Sequence, residues 1–159
     1  VDSTKEIEMT TRDEGNKAVA ECLAQCLANA TIMYHRVHGF HWNVTGPDFP
    51  EWHEKFLEIY EDVYSSLDPL AENIRKVGSI APFTLDELMG ESTVADGVIE
   101  SYDSATLVAD LYKTNNGVLV CLNKCFQLAT VHNQQGIANF LAERIDAHQK
   151  WAWQLSASM

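Results

Sequence analysis

FPEWHEKFLEIYEDVYSSLDPLAENI, residues 49–74, decides how this chain folds. Trp52, Phe56, Ile59, Tyr60, Val63, Leu67, Leu70, Ala71 and Ile74 recur every three or four positions, the spacing that lines one face of an α-helix. Pro50 suits a first turn, where a missing N–H costs nothing, and Asp48 is placed to cap it. Pro69 cannot donate to the carbonyl of Ser65 and its ring crowds that oxygen, so a kink is expected. The stripe resumes in phase beyond it, so the helix should bend and continue to Gly78.

The flanking sequence repeats the helical pattern three times. Val19, Leu23, Cys26, Leu27, Ala30, Met33, Tyr34 and Val37 predict a first helix from about residue 15 to 42. A third is expected from about 104 to 132. A fourth, from about 136 to 156, would be carried by Ile137, Phe140, Leu141, Ile145, His148, Ala152 and Leu155. Residues 78–103 form a long connection with Gly78, Pro82, Gly90 and Gly97. Within it, Thr84 to Glu87 before Leu88 and Met89 reads as a capping box for one short helix. Short, long and short connections give an all-α, ferritin-like four-helix bundle, with a long crossover containing a short helix between its second and third helices. The bundle is expected over 15–159, behind a flexible N-terminal tail of 1–14.

A chain of 159 residues is one domain's length, and 46% apolar with 21% charged residues is ordinary for a globular protein. No apolar run approaches the roughly 20 residues that cross a bilayer, so no membrane association is expected. The opening VDSTKEIEMTTRDEGNK lacks the apolar centre of a signal peptide, which makes the cytoplasm the expected compartment. Eleven basic against 23 acidic side chains give a net charge of −12, which suits cationic partners. Lys5, Arg12 and Lys17 are outnumbered by Asp2, Glu6, Glu8, Asp13 and Glu14, and the final QLSASM adds no base. DNA binding, which draws its affinity from phosphate neutralisation, is therefore not expected.

Cys22 with Cys26 and Cys121 with Cys125 repeat one four-residue spacing, which puts each pair on one helix face. With the first and third helices antiparallel, both pairs fall about 14–16 Å from one end of the bundle. Small buried hydrophobes, a zinc site and an interhelical disulfide are all compatible with that placement, though a cytosolic location counts against the disulfide.

His41, His53, Asp68 and Glu72 mix imidazole with carboxylate, a donor set suited to Fe(II), Mn(II) or Zn(II), with iron favoured where open positions must admit an oxidant. Asp68 and Glu72 are four residues apart and project from one face, which by itself is equally a solvated acidic surface. His53 and Asp68 are 15 residues apart on one helix, about 22 Å along its axis, so they cannot share an ion within a subunit. Two such helices packed antiparallel about a twofold axis near Glu61 and Asp62 would bring His53 of one copy to Asp68 and Glu72 of the other.

The stretch His38-Gly-Phe-His41-Trp42-Asn43-Val44-Thr45-Gly46, followed by Phe49, His53, Phe56, Tyr60, Asp68, Ala71, Glu72 and Ile74, resembles the Dps family of miniferritins. The crossover and His148-Gln149-Lys150 with Trp153 extend the likeness over nearly the whole chain. The resemblance implies a ferroxidase in a dodecamer built from twofold dimers. Its intersubunit centres would use His41 and His53 of one subunit as neutral ligands, with Asp68 and Glu72 of its mate as carboxylates. Fe(II) would be oxidised there, with hydrogen peroxide preferred to dioxygen, and stored as a ferric mineral, as iron storage and protection from oxidative stress. Zinc or manganese would fit the same site. Trp42 would supply an electron or pack the dimer interface, and His38 would orient or support its neighbours.

Two departures limit the likeness. Leu57 stands where many members carry a further carboxylate, which weakens the second iron position, although Glu54, Glu58 and Glu61 are available nearby to seed mineral. Gln134, Gln135 and Asn139 replace acids near the start of the last helix, leaving Glu143 and Asp146 as weak pore candidates. The alternatives are a DNA-binding Dps and a non-oxidising zinc-binding or scaffold shell.

Overall fold

A computed structural model describes the backbone of residues 3–159 and the side chains of residues 12–159. Among the described residues six helices follow one another: α1 Ser3–Asn43, α2 Phe49–Ser65, α3 Leu67–Lys76, α4 Leu85–Glu91, α5 Ser104–Val131 and α6 Gln135–Ala157. α2 and α3 together make the second long helix of a ferritin-like bundle, and α4 is the short helix of the crossover. α1 starts at Ser3, well before the expected residue 15. Of the segment read as a tail, residues 1 and 2 lie outside the described residues, and the rest is continuous with the helix.

The break between α2 and α3 falls at Ser66, three residues before Pro69. Ser66 N–H reaches back only to the Val63 carbonyl, at 3.1 Å, and its hydroxyl donates to the same oxygen at 2.6 Å. The helix thus gives way beside the carbonyl that the proline ring crowds, then continues in phase. α3 and α5 end alike. Gly78 (φ +92°) and Asn133 (φ +59°) take the left-handed conformation, and the next N–H reaches back five residues, Ser79 to Ile74 O and Gln134 to Ala129 O.

Two expected caps are realised differently. Thr84 Oγ1 accepts from Glu87 N–H at 3.1 Å, but Glu87 Oε2 accepts from Phe83 N–H instead of from Thr84 itself. Asp48 makes no side-chain cap to α2; its carboxylate accepts from the Ser104 hydroxyl and so ties the α1–α2 turn to the start of α5.

α1 is the central helix, packed against α2, α3, α4 and α5, and α5 packs on α6. Thr45 N–H donates to Tyr102 O at one end of the α1–α5 pair and Gln134 Nε2 to Asn16 Oδ1 at the other, which makes the two helices antiparallel. The crossover is held by polar side chains of α1. Buried Asn29 accepts from Thr93 N–H and donates to Thr93 Oγ1, both at 2.8 Å, while Arg36 donates to Asp96, Gly97 O and Asp110. The chain passes so close to α5 that a Cβ at Gly117 would lie 2.6 Å from Val94 Cγ1.

The buried stripe of α6 is Ile137, Ala138, Leu141, Arg144, His148, Trp151 and Leu155. This corrects the expected stripe: Phe140, Ile145 and Ala152 are only half-buried, and Arg144 and Trp151 take the interior. Arg144 is the reason. Its guanidinium donates to both oxygens of Asp62 on α2, at 2.8 and 3.0 Å, and Trp151 Nε1 donates to the same carboxylate at 2.8 Å. Asp62 therefore points into the bundle, whereas Glu61 is exposed.

Candidate metal centre

The end of α1 and the start of α2 meet at two imidazoles. The rings of His41 and His53 stack with centroids 3.8 Å apart and an interplanar angle of 16°. His41 Nδ1 lies 2.7 Å from the backbone carbonyl of His53, and His53 Nδ1 lies 2.8 Å from the carbonyl of His41. A carbonyl oxygen can only accept, so each Nδ1 carries the proton and donates it. With Nδ1 engaged in this way, Nε2 of each ring is the nitrogen left for a metal, which binds the neutral form. The α1–α2 turn makes this reciprocity possible: Gly46, at φ +121°, lets five residues reverse the chain and bring the two helix ends side by side.

Aromatic rings back the pair. His38 stacks on Tyr60 (4.1 Å, 20°) and lies 4.3 Å from Trp42, and its Nδ1 is 3.1 Å from the Tyr34 hydroxyl. Burial lowers the pKa of His38, and the neighbouring His41 and His35 add to the shift. His38 props the wall behind His41, from which its ring centroid is 6.3 Å distant. Phe49 stacks on the other side of His53 at 5.0 Å. Trp42 is 64% exposed.

Asp68 and Glu72 are exposed on α3, four residues apart, and neither bonds to the imidazole pair within the chain. Among the described residues no group of three or more His, Cys, Asp or Glu is arranged to hold a metal ion. Leu57 lines an open groove of about 420 Å³ with Glu51, Glu54, Lys55, Glu58 and Glu61, and Lys55 Nζ donates to Glu58 Oε2 at 3.0 Å. Glu143 and Asp146 are exposed on α6.

Comparison with known proteins settles the lineage. A family model described as a ferritin-like domain matches residues 20–159. The chain belongs to the ferritin-like family, in its Dps branch. It is 29% identical over 142 residues to DNA protection during starvation protein 2 of Bacillus anthracis, covering 89% of this chain and 97% of that one. The crystal structure of a DPS protein from Vibrio cholerae O1 superposes with a TM-score of 0.86 at 26% identity, over 91% of each chain. That of a Dps protein from Bacillus brevis does so with a TM-score of 0.86 at 27% identity, over 91% of this chain and 96% of that one. No described helix of this Dps chain is long and apolar enough to cross a membrane.

Sequence reading missed two features of the site. The backbone carbonyls that orient His41 and His53 belong to the ligand residues themselves, so no side chain advertises them. The Asp62–Arg144 pair left one trace, an arginine four residues before a histidine inside an apolar stripe.

Proposed function

We propose that this Dps-family chain is a ferroxidase subunit of a hollow, cytoplasmic homo-oligomer, a dodecamer built from twofold dimers, that oxidises Fe(II) between subunits and stores the ferric product. The reciprocal locking of His41 and His53 carries the reading: with both Nδ1 atoms tied to carbonyls, the Nε2 atoms of two stacked rings are left to bind a metal. Asp68 and Glu72, about 22 and 28 Å away along the same bent helix, complete a nitrogen–oxygen ligand set only from a second copy. The Vibrio cholerae relative is described as one of the ferritin-like diiron-carboxylate proteins, which supports the same donor set here. Ile80, Phe83 and Leu85 are each more than 70% exposed on the isolated chain, which supports burial against other subunits.

Fe(II) is the substrate. A chain at −12 concentrates cations around the shell, and the imidazoles and carboxylates hold the ions until the oxidant arrives. Two Fe(II), one hydrogen peroxide and two protons give two Fe(III) and two waters, whereas a single Fe(II) meeting peroxide releases hydroxyl radical. Dioxygen is the slower oxidant in this scheme. With Leu57 on the wall, the second position is completed by water, and Glu54, Glu58 and Glu61 offer oxygen atoms on which mineral starts. Trp42, against His38 and next to the first ligand, donates an electron or packs the interface. Zinc and manganese compete for the same donors.

The test is peroxide-driven Fe(II) oxidation by the intact protein and by Asp68→Ala. The variant should be slower by about 10–100-fold, and equal rates would remove this centre from the mechanism. Size exclusion with light scattering should give one large assembly, and a monomer would end the intersubunit scheme. Protein of this charge should leave DNA migration unchanged at physiological salt; retardation would favour a DNA-binding Dps. Tight zinc binding without iron oxidation would favour the scaffold shell.

A further inference from the structure

All four cysteines are buried and in the free thiol form. Cys22 and Cys26 lie one turn apart on α1, Cys121 and Cys125 one turn apart on α5, and Cys26 Sγ is 3.1 Å from Cys121 Sγ. The two helices are antiparallel, so four residues back along one correspond to four residues forward along the other. With Cys26 level with Cys121, Cys22 stands level with Cys125. The same register holds on either side of the thiols: Gly15 lies against the His132 ring, and Arg36 Nη2 is 2.7 Å from Asp110 Oδ1. A small apolar filler at these levels could be alanine or valine in any combination. Thiols at both ends of both rungs are what cross-linking requires.

We propose that Cys26–Cys121 and Cys22–Cys125 are two oxidisable rungs that hydrogen peroxide converts to disulfides joining α1 to α5. A thiolate attacks one peroxide oxygen, the O–O bond breaks, and the departing hydroxide takes a proton to become water. The facing thiol then attacks the sulfenic sulfur, the S–S bond forms, and a second water leaves. Each rung gives up two electrons and two protons, and one peroxide becomes two waters. Cys22 begins the sequence. Hydrogen bonds from Cys121, then from Cys125 and Cys26, hold its thiol far below the ordinary range. The same contact with Cys22 is the main cause that pushes Cys121 up to about 12. Cys22 and Cys121 each keep 4% of their surface open, whereas Cys125 is fully sealed. Thiol–disulfide exchange among neighbouring sulfurs carries the oxidation on to the Cys26–Cys121 rung. Closing that rung needs an approach of about 1 Å, to the roughly 2.0 Å of an S–S bond.

The rungs do not depend on the iron site: 15 residues of α1, about 22 Å, separate Cys26 from His41. They form a second peroxide-consuming centre in the same chain.

Iron-free assembled protein, freshly reduced, is to be titrated with hydrogen peroxide, alkylated and mapped by mass spectrometry without reduction. The expected result is two thiols lost per peroxide consumed, peptides joining Cys22 or Cys26 to Cys121 or Cys125, and a Tm that rises and returns on reduction. Cys26→Ala with Cys121→Ala should leave only the Cys22–Cys125 peptide, halving the peroxide taken up. If that variant fails to fold, the wild-type map decides alone. Four alkylatable thiols surviving excess peroxide, bonds within one helix only, or a stoichiometric zinc or copper ion shielding the thiols would each overturn the proposal.

Discussion

His41 and His53 at one end of the bundle and His148 inside it are the same side chain under opposite constraints. In the surface pair one nitrogen of each ring is tied to a carbonyl and the other is left bare. In His148 both nitrogens are used. Nδ1 donates to Asn115 Oδ1 at 2.8 Å, with the Asn115 orientation fixed by its own bond to the His148 carbonyl, and Nε2 accepts from Arg144 Nη2 at 3.1 Å. Arginine can only donate, so His148 is neutral with its proton on Nδ1. A histidine is a candidate ligand when the fold occupies one nitrogen and exposes the other; when the fold occupies both, it is structure. Proximity to carboxylates does not distinguish the two, since Asp62 is a close neighbour of His148 through their shared Arg144.

The comparison can be broken at several points. Asp62→Ala should have the largest effect, because it strands a guanidinium whose side chain is only 10% exposed and takes the Trp151 acceptor with it. A loss of about 3–5 kcal/mol in denaturant unfolding is expected, with iron oxidation per folded assembly preserved. Burial alone would raise the Asp62 carboxyl, but the hydrogen bonds and charge of Arg144 leave it lowered, so this contribution is complete above the ordinary carboxylate range and is lost as pH falls from there through the lowered value.

His53→Ala should do the reverse. Stability should change little, while Fe(II) oxidation drops by about 100-fold, since losing even an outer-shell partner of a metal ligand costs about 10–100-fold.

A pH series sharpens the contrast. Burial first, and then the Arg144 charge, hold the His148 pKa down to about 3, against an unfolded value of about 6.5. The unfolded chain takes up the proton first on acidification. The stabilisation from a neutral His148 is therefore complete above about pH 6.5 and is lost as pH falls toward 3, by about 1.4 kcal/mol per pH unit. His148→Gln should flatten that slope in a Tm-against-pH series; an unchanged slope would mean that other groups carry it. The smallest effect belongs to Thr84→Ala, where losing the cap bond to Glu87 N–H should cost about 1 kcal/mol and leave the imidazole pair untouched.

How much the sequence disclosed follows from which signals are periodic. The stripe from Trp52 to Ile74 and the crowding at Pro69 are local, and they placed the second helix and its bend. The start of α1 was read too late because residues 3–14 are polar and carry no apolar period, yet the backbone there is helical. The phase of α6 was misread because Arg144 looks like a surface residue until its partner on α2 is known. The four candidate ligands were legible as residue types at fixed spacings, but the bonds that orient two of them were not.

By itself the sequence determined the order of the helices, the antiparallel α1–α5 pairing and the impossibility of His53 and Asp68 meeting in one copy, because these follow from apolar period, connection length and a fixed rise per residue. Only the tertiary structure decided which lone pairs are free, which acid turns inward and which thiols touch. Those depend on atoms brought together from elements far apart in the chain, where no local period connects them.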